Sequence, residues 1–149
     1  MIVKFKHMTN EHENIFTKAI MTGLFIGVID TLICLAYNIG YRNFSGYTPS
    51  ALINVSSLIF GVNLLLLVTG MLYFVFIRLF GKKDFVFIAV FAALTIFLIW
   101  KADTGHRFAD LVVNKEWKGL ILGVIAILGF SASALPLFFH SRFFEKYVL

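Results

Sequence analysis

Residues 19–39 read AIMTGLFIGVIDTLICLAYNI, twenty-one positions with one charge, Asp30. Spanning the hydrocarbon core of a bilayer takes roughly 17–25 apolar residues in a helix. The stretch has that length, and its alternation is not that of a strand, so it reads as a transmembrane helix. Three further apolar runs follow, at about 51–77, 85–100 and 119–139. The second is long enough to tilt or to start in the interface. The third, Phe85–Trp100, is short, and Lys101 can extend it by snorkelling.

The composition agrees. Of 149 residues, 60% are hydrophobic and 14% charged, whereas soluble domains carry roughly 25% charged residues. A soluble globule of this size could not hide that much apolar surface. The expected fold class is an all-α integral membrane protein, a four-helix transmembrane bundle forming one domain over residues 1–149.

Net charge is +5, but the Lys and Arg residues sit at the ends of apolar runs. There they suit lipid headgroups, so the bilayer is the expected partner and nucleic acid is not. Cys34 is the only cysteine, which excludes an internal disulfide and thiol-exchange chemistry. The first run is too long for the apolar core of a cleaved signal and reads as a retained anchor. With the N-terminus inside, eight Lys/Arg face inward (Lys4, Lys6, Lys18, Arg78, Lys82, Lys83, Arg142, Lys146) and five outward (Arg42, Lys101, Arg107, Lys115, Lys118). That bias places both termini in the cytoplasm, and a bacterial inner membrane is the default location.

Gly81 and Asp84 bracket a link short enough to make the second and third helices antiparallel neighbours. The first loop holds Tyr41, Phe44, Tyr47 and Pro49, which suit an aromatic belt. In the third loop Phe108, Leu111 and Val112 fall at i, i+3, i+4, predicting a short interfacial helix flanked by Trp100 and Trp117. Pro136 is expected to bend the fourth helix, and residues 138–147 to lie along the inner surface. Leu58–Val62 (LIFGV) resembles Leu120–Val124 (LILGV), each downstream of a Gly-x-Arg. This suggests two parallel two-helix repeats, against chance similarity between apolar segments.

Asp30 is the sharpest feature. A carboxylate at mid-span costs about 2.5–3.5 kcal/mol on insertion scales, so it must face protein or water, or be protonated. Ala19, Gly23, Gly27, Asp30, Cys34 and Asn38 fall on one face within an arc of about 100°. Gly23 and Gly27 are a small-xxx-small pair, which favours close helix approach. The second helix carries Asn54, Ser57 and Gly61 on one face and Ser56, Asn63 and Gly70 on the nearly opposite one. Asn63 lies at the depth of Asp30 and is the expected hydrogen-bond partner. The fourth helix offers Gly119, Gly123, Ala126, Gly129 and Ser133 along one side, with Ser131 off that stripe. The expected intramembrane polar cluster is Asp30, Asn63, Asn38, Asn54 and Ser131, and the expected packing glycines are Gly23, Gly27, Gly61, Gly70 and Gly123.

No histidine lies at a span centre, so a bis-histidine haem is not expected. His106 with Asp103 and Asp110 lacks tight metal-ligand spacing and reads as a solvated loop. There is no phosphate loop, serine elbow or carboxylate pair within one span. No cofactor, metal or catalytic group is expected. With a single acid in the first of four helices, the chain resembles the small multidrug resistance transporters. The resemblance covers that feature alone, since this chain is longer, its loops are larger and Asp30 lacks the surrounding family pattern.

Three functions compete. The first is a non-catalytic helix bundle or membrane-complex component, in which Asp30 locks helices together, alone, with a second copy or with another membrane protein. The second is a homo-oligomeric ion- or proton-coupled transporter or channel using Asp30. The third is a membrane enzyme on lipid or quinone using the His106 loop, the weakest because no nucleophile–base pair is visible.

Overall fold

The computed structural model describes residues 2–46, 54–81, 84–105 and 111–141, with side chains from Asn14 onward. Its elements are four helices: α1 (Ile2–Ser45), α2 (Val55–Phe80), α3 (Asp84–Thr104) and α4 (Leu111–Phe139). Each contains a stretch long and apolar enough to cross a membrane, Asn14–Ser45 in the case of α1.

The helices outrun the apolar runs. α1 has 44 residues, about 66 Å at 1.5 Å per residue, so the polar N-terminal segment continues the first helix. α3 extends from the expected 85–100 to 84–104, giving 21 residues, about 31 Å. α4 begins at Leu111, eight residues before the expected start. The predicted interfacial helix is therefore not separate over Leu111 and Val112, which form the first turn of α4; Phe108 lies outside the described residues. Polar residues such as Asn114 and Glu116 do not stop a helix, because nothing between Leu111 and Gly119 breaks the backbone ladder. Pro136 is buried in the last turn of α4, which continues to Phe139.

Gly23 of α1 packs against Gly70 of α2, and Gly27 packs against Asn63. Asp30 meets Ser131, and Tyr37 meets Gly119. α1 is thus antiparallel to both α2 and α4. Asp84 lies beside His140 and Asp103 beside Lys118, so α3 is antiparallel to α4. The chain runs up, down, up, down. The end holding Lys18, Asp84 and His140 is called the base, and the end holding Ser45, Val55 and Thr104 the top.

Spatial order differs from chain order. α1 packs on α2 and α4, and α3 packs mainly on α4. α2 and α3 are antiparallel but meet only weakly. Their ring contacts, Tyr73–Phe87 and Phe76–Phe87 at 4.9 and 5.5 Å, lie near the base. Gly81 ends α2 at φ 67° and ψ −161°, a positive-φ conformation that suits glycine. Beyond the aromatic cluster the two helices diverge. The short link fixes where they start and not whether they stay together.

The core follows one stripe per helix. Ala19, Gly23, Gly27, Asp30, Cys34 and Asn38 are all buried on α1. On the other side Val28 and Leu32 are 58% and 65% exposed. On α2 the buried positions are Leu58, Val62, Leu66, Thr69, Gly70 and Tyr73, a spacing that keeps one face inward. α3 buries only Phe87 and is apolar on every face, which suits a hydrocarbon surround. Leu58 and Val62 are buried, as are Leu120 and Val124 in the similar segment. The two intervening glycines have different surroundings, open at Gly61 and against Tyr37 at Gly123.

Candidate functional site

Asp30 is 1% exposed and faces α4. The Ser131 hydroxyl donates to its Oδ1 at 2.6 Å, so the partner is Ser131 and not Asn63. Asn63 Nδ2 donates to Thr31 Oγ1 at 2.7 Å and to the Ile59 carbonyl at 2.8 Å. Thr31 Oγ1 in turn donates to the Gly27 carbonyl at 2.7 Å. The difference is one of azimuth, since one residue along a helix is a 100° turn. Asp30 therefore looks toward α4 while Thr31 looks toward α2.

The expected polar cluster separates into four pieces. Asp30 with Ser131 ties α1 to α4, and Asn63 with Thr31 ties α1 to α2. Asn38 is fully buried two turns above Asp30, where its Oδ1 accepts from Arg42 Nη1 at 3.4 Å. Asn54 is not at mid-depth. It is the N-cap of α2, its side chain accepting from the Ser57 backbone N–H at 2.8 Å. The Ser57 hydroxyl accepts from the Asn54 N–H at 3.0 Å and closes a capping box. The first turn of any helix has orphan N–H groups, and an Asn there serves them first.

The glycines also divide. A Cβ on Gly23 would lie 2.5 Å from the Leu66 carbonyl oxygen, and one on Gly70 would lie 2.6 Å from that of Ala19. These two residues hold α1 and α2 at backbone contact. A Cβ on Gly27 would sit 3.1 Å from Asn63 Oδ1. A Cβ on Gly123 would overlap the Tyr37 ring, whereas Gly61 has nothing within 4 Å and packs on no helix.

Two groups of contacts were not foreseen. Tyr37 and Tyr41 of α1 donate to the Gly119 and Glu116 carbonyls of α4, at 2.9 and 3.0 Å. A tyrosine four residues from another, opposite a glycine-rich stripe, is the signal that was available. At the base, Tyr73 donates to Asp84 Oδ1 at 2.6 Å, and His140 Nε2 lies 2.9 Å from Asp84 Oδ2. This clasp joins α2, α3 and α4, with Tyr73 edge-on to Phe87 and Phe139. Tyr73→Phe keeps the ring packing and removes one hydrogen bond to a carboxylate. It should lower stability by about 1–3 kcal/mol, read as the unfolding midpoint in detergent.

Asp30 Oδ2 and Asn38 Nδ2 have no hydrogen-bond partner among the described residues. Among those residues no group of three or more His, Cys, Asp or Glu is placed to hold a metal. His106 and Asp110 lie outside them, as do Tyr47, Pro49 and residues 142–149. In comparisons with protein families, curated proteins and solved structures, nothing matches the chain.

Proposed function

We propose that the chain is a small non-enzymatic integral membrane protein that acts through helix packing, as a bundle or as a component of a membrane complex. Its surroundings are the lipid bilayer, with a second copy or another membrane protein as partner. The eight-to-five Lys/Arg bias favours both termini on the cytoplasmic side, and a bacterial inner membrane is the expected location.

One observation carries this reading. The mid-depth bonds Asp30–Ser131 and Asn63–Thr31 join α1 to two different helices, each in its own helix–helix contact. Such bonds contribute about 0.6–2 kcal/mol each inside a membrane, enough to fix which helices pair. A cycle of Asp30→Ala and Ser131→Ala should return a coupling of about 1 kcal/mol in detergent unfolding. Strictly additive effects would remove the pair from any packing role.

A second reading rests on Asp30 Oδ2, which has no hydrogen-bond partner among the described residues, beside a cavity of about 480 Å³ between α1 and α4. In that reading the chain is a homo-oligomeric, Asp30-dependent ion or proton transporter. Liposome flux separates the two. Asp30→Asn retains an oxygen for Ser131, so the fold should survive the change. The packing reading expects no proton or cation flux from wild type. A flux that Asp30→Asn abolishes would replace it with transport.

A further inference from the structure

The divergence of α2 from α3 leaves an apolar groove of about 580 Å³, roofed by neither helix and floored by α4. Gly61 and Leu65 of α2, Leu94 and Leu98 of α3, and Leu128 and Ala132 of α4 line it. The base end is closed by the rings of Tyr73, Phe76 and Phe87. The groove therefore opens sideways and toward the top.

Among the described residues its wall offers an occupant no free hydrogen-bond donor. The only hydroxyls lining it are those of Thr69 and Thr95. Both donate to their own helices, to the Leu65 and Phe91 carbonyls at 2.8 and 2.7 Å. Acceptor groups on an occupant would go without donors there, so hydrocarbon suits the groove at this depth. Its length along α2, Gly61 to Leu72, is about 16 Å. A single acyl chain can lie along that length.

The charge lies at the open end. On α3 the lining positions Phe91, Leu94 and Leu98 continue at the same spacing to Lys101. On α4 the lining positions Ala132, Leu128 and Ile125 continue toward the top to Lys118. The Lys118 ammonium donates to the Asp103 carbonyl and so sits between the ends of α3 and α4. A hydrocarbon slot ending at two lysines has the polarity of one anionic phospholipid.

We propose that the α2–α3–α4 groove is a binding site for an anionic phospholipid, with one acyl chain against Gly61, Leu65 and Leu94 and the phosphate at Lys101 and Lys118. The site lies away from Asp30 and does not depend on the role assigned to that residue.

The test is lipid retention. The full chain is equilibrated in mixed micelles holding equal dioleoyl phosphatidylglycerol and dioleoyl phosphatidylcholine, and bound lipid is counted by native mass spectrometry. Wild type should keep one phosphatidylglycerol per chain, in roughly thirty-fold excess over phosphatidylcholine, the size expected of two interfacial lysines. Gly61→Leu puts its side chain where nothing else lies within 4 Å, so it fills the slot without displacing a packed neighbour. It should remove most of the retained lipid. Leu98→Trp, at a position 43% exposed, blocks the same slot nearer its mouth and guards against a folding defect in the first variant. Lys101→Gln with Lys118→Gln should keep a lipid but lose the headgroup preference. Equal retention of the two lipids by wild type would overturn the proposal. So would retention unchanged in both slot-filling variants. A wild-type dimer that Gly61→Leu converts to monomer would overturn it in favour of a second copy in the groove.

Discussion

Gly70→Val should be among the most damaging single substitutions in this chain, with a loss of about 3 kcal/mol or more. Any β-carbon at Gly70 lies 2.6 Å from the Ala19 carbonyl oxygen, and one at Gly23 lies 2.5 Å from that of Leu66. The obstacles are backbone atoms, which cannot rotate aside. Relief requires α1 and α2 to move apart along their whole contact, and that contact is the most extensive in the fold. Separation would also stretch the Asn63–Thr31 hydrogen bond, now 2.7 Å, a turn or more away. Gly61→Val is the control on the same helix, since nothing lies within 4 Å of that position. Both variants replace Gly in a helix by the same residue, so their propensity change is shared. Unfolding midpoints in detergent should differ widely between the two. Equal midpoints would mean that α1 and α2 are not in backbone contact.

The second large effect belongs to the α1–α4 contact. Gly123 leaves room for the Tyr37 ring, whose hydroxyl donates to the Gly119 carbonyl at 2.9 Å. Gly123→Leu should expel the ring and break that bond, costing about 2–4 kcal/mol. Tyr37→Ala alone should cost about 3 kcal/mol through lost packing and the same lost bond. The double variant places a leucine where the ring had been. It should be more stable than the sum of the two single effects by at least about 1 kcal/mol. Additivity would mean that the two positions do not share one space. The same experiment tests the bundle order, because only an α1 packed directly on α4 couples residues 86 positions apart.

Part of the site was legible from spacing alone. The α1 stripe from Ala19 to Asn38 was read at 100° per residue, and all six residues are buried. A charged residue amid apolar ones has few tolerable directions, so its helix face can be inferred. The partner of Asp30 could not be read in the same way. Asn63 and Ser131 both lie near its depth, and the choice depends on which neighbour that face meets. Asn54 was misplaced because composition cannot distinguish an Asn in mid-span from one that caps a helix. The Tyr73–Asp84–His140 clasp was missed because its members are far apart in sequence and unremarkable singly.

The amino-acid sequence by itself determined four apolar helices, their approximate bounds, and the buried face of the first. Those properties follow from helix length and a 3.6-residue period, which are local. The tertiary structure alone decided that α3 belongs with α4 and diverges from α2 despite the short link between them. Helices apolar on every side, α3 above all, carry no mark of which neighbour they will meet. That choice was made by small residues facing backbones and rings, Gly23 on Gly70, Gly123 under Tyr37 and Gly129 against Thr95. Close approach needs two complementary surfaces at once, and no single segment of sequence contains both.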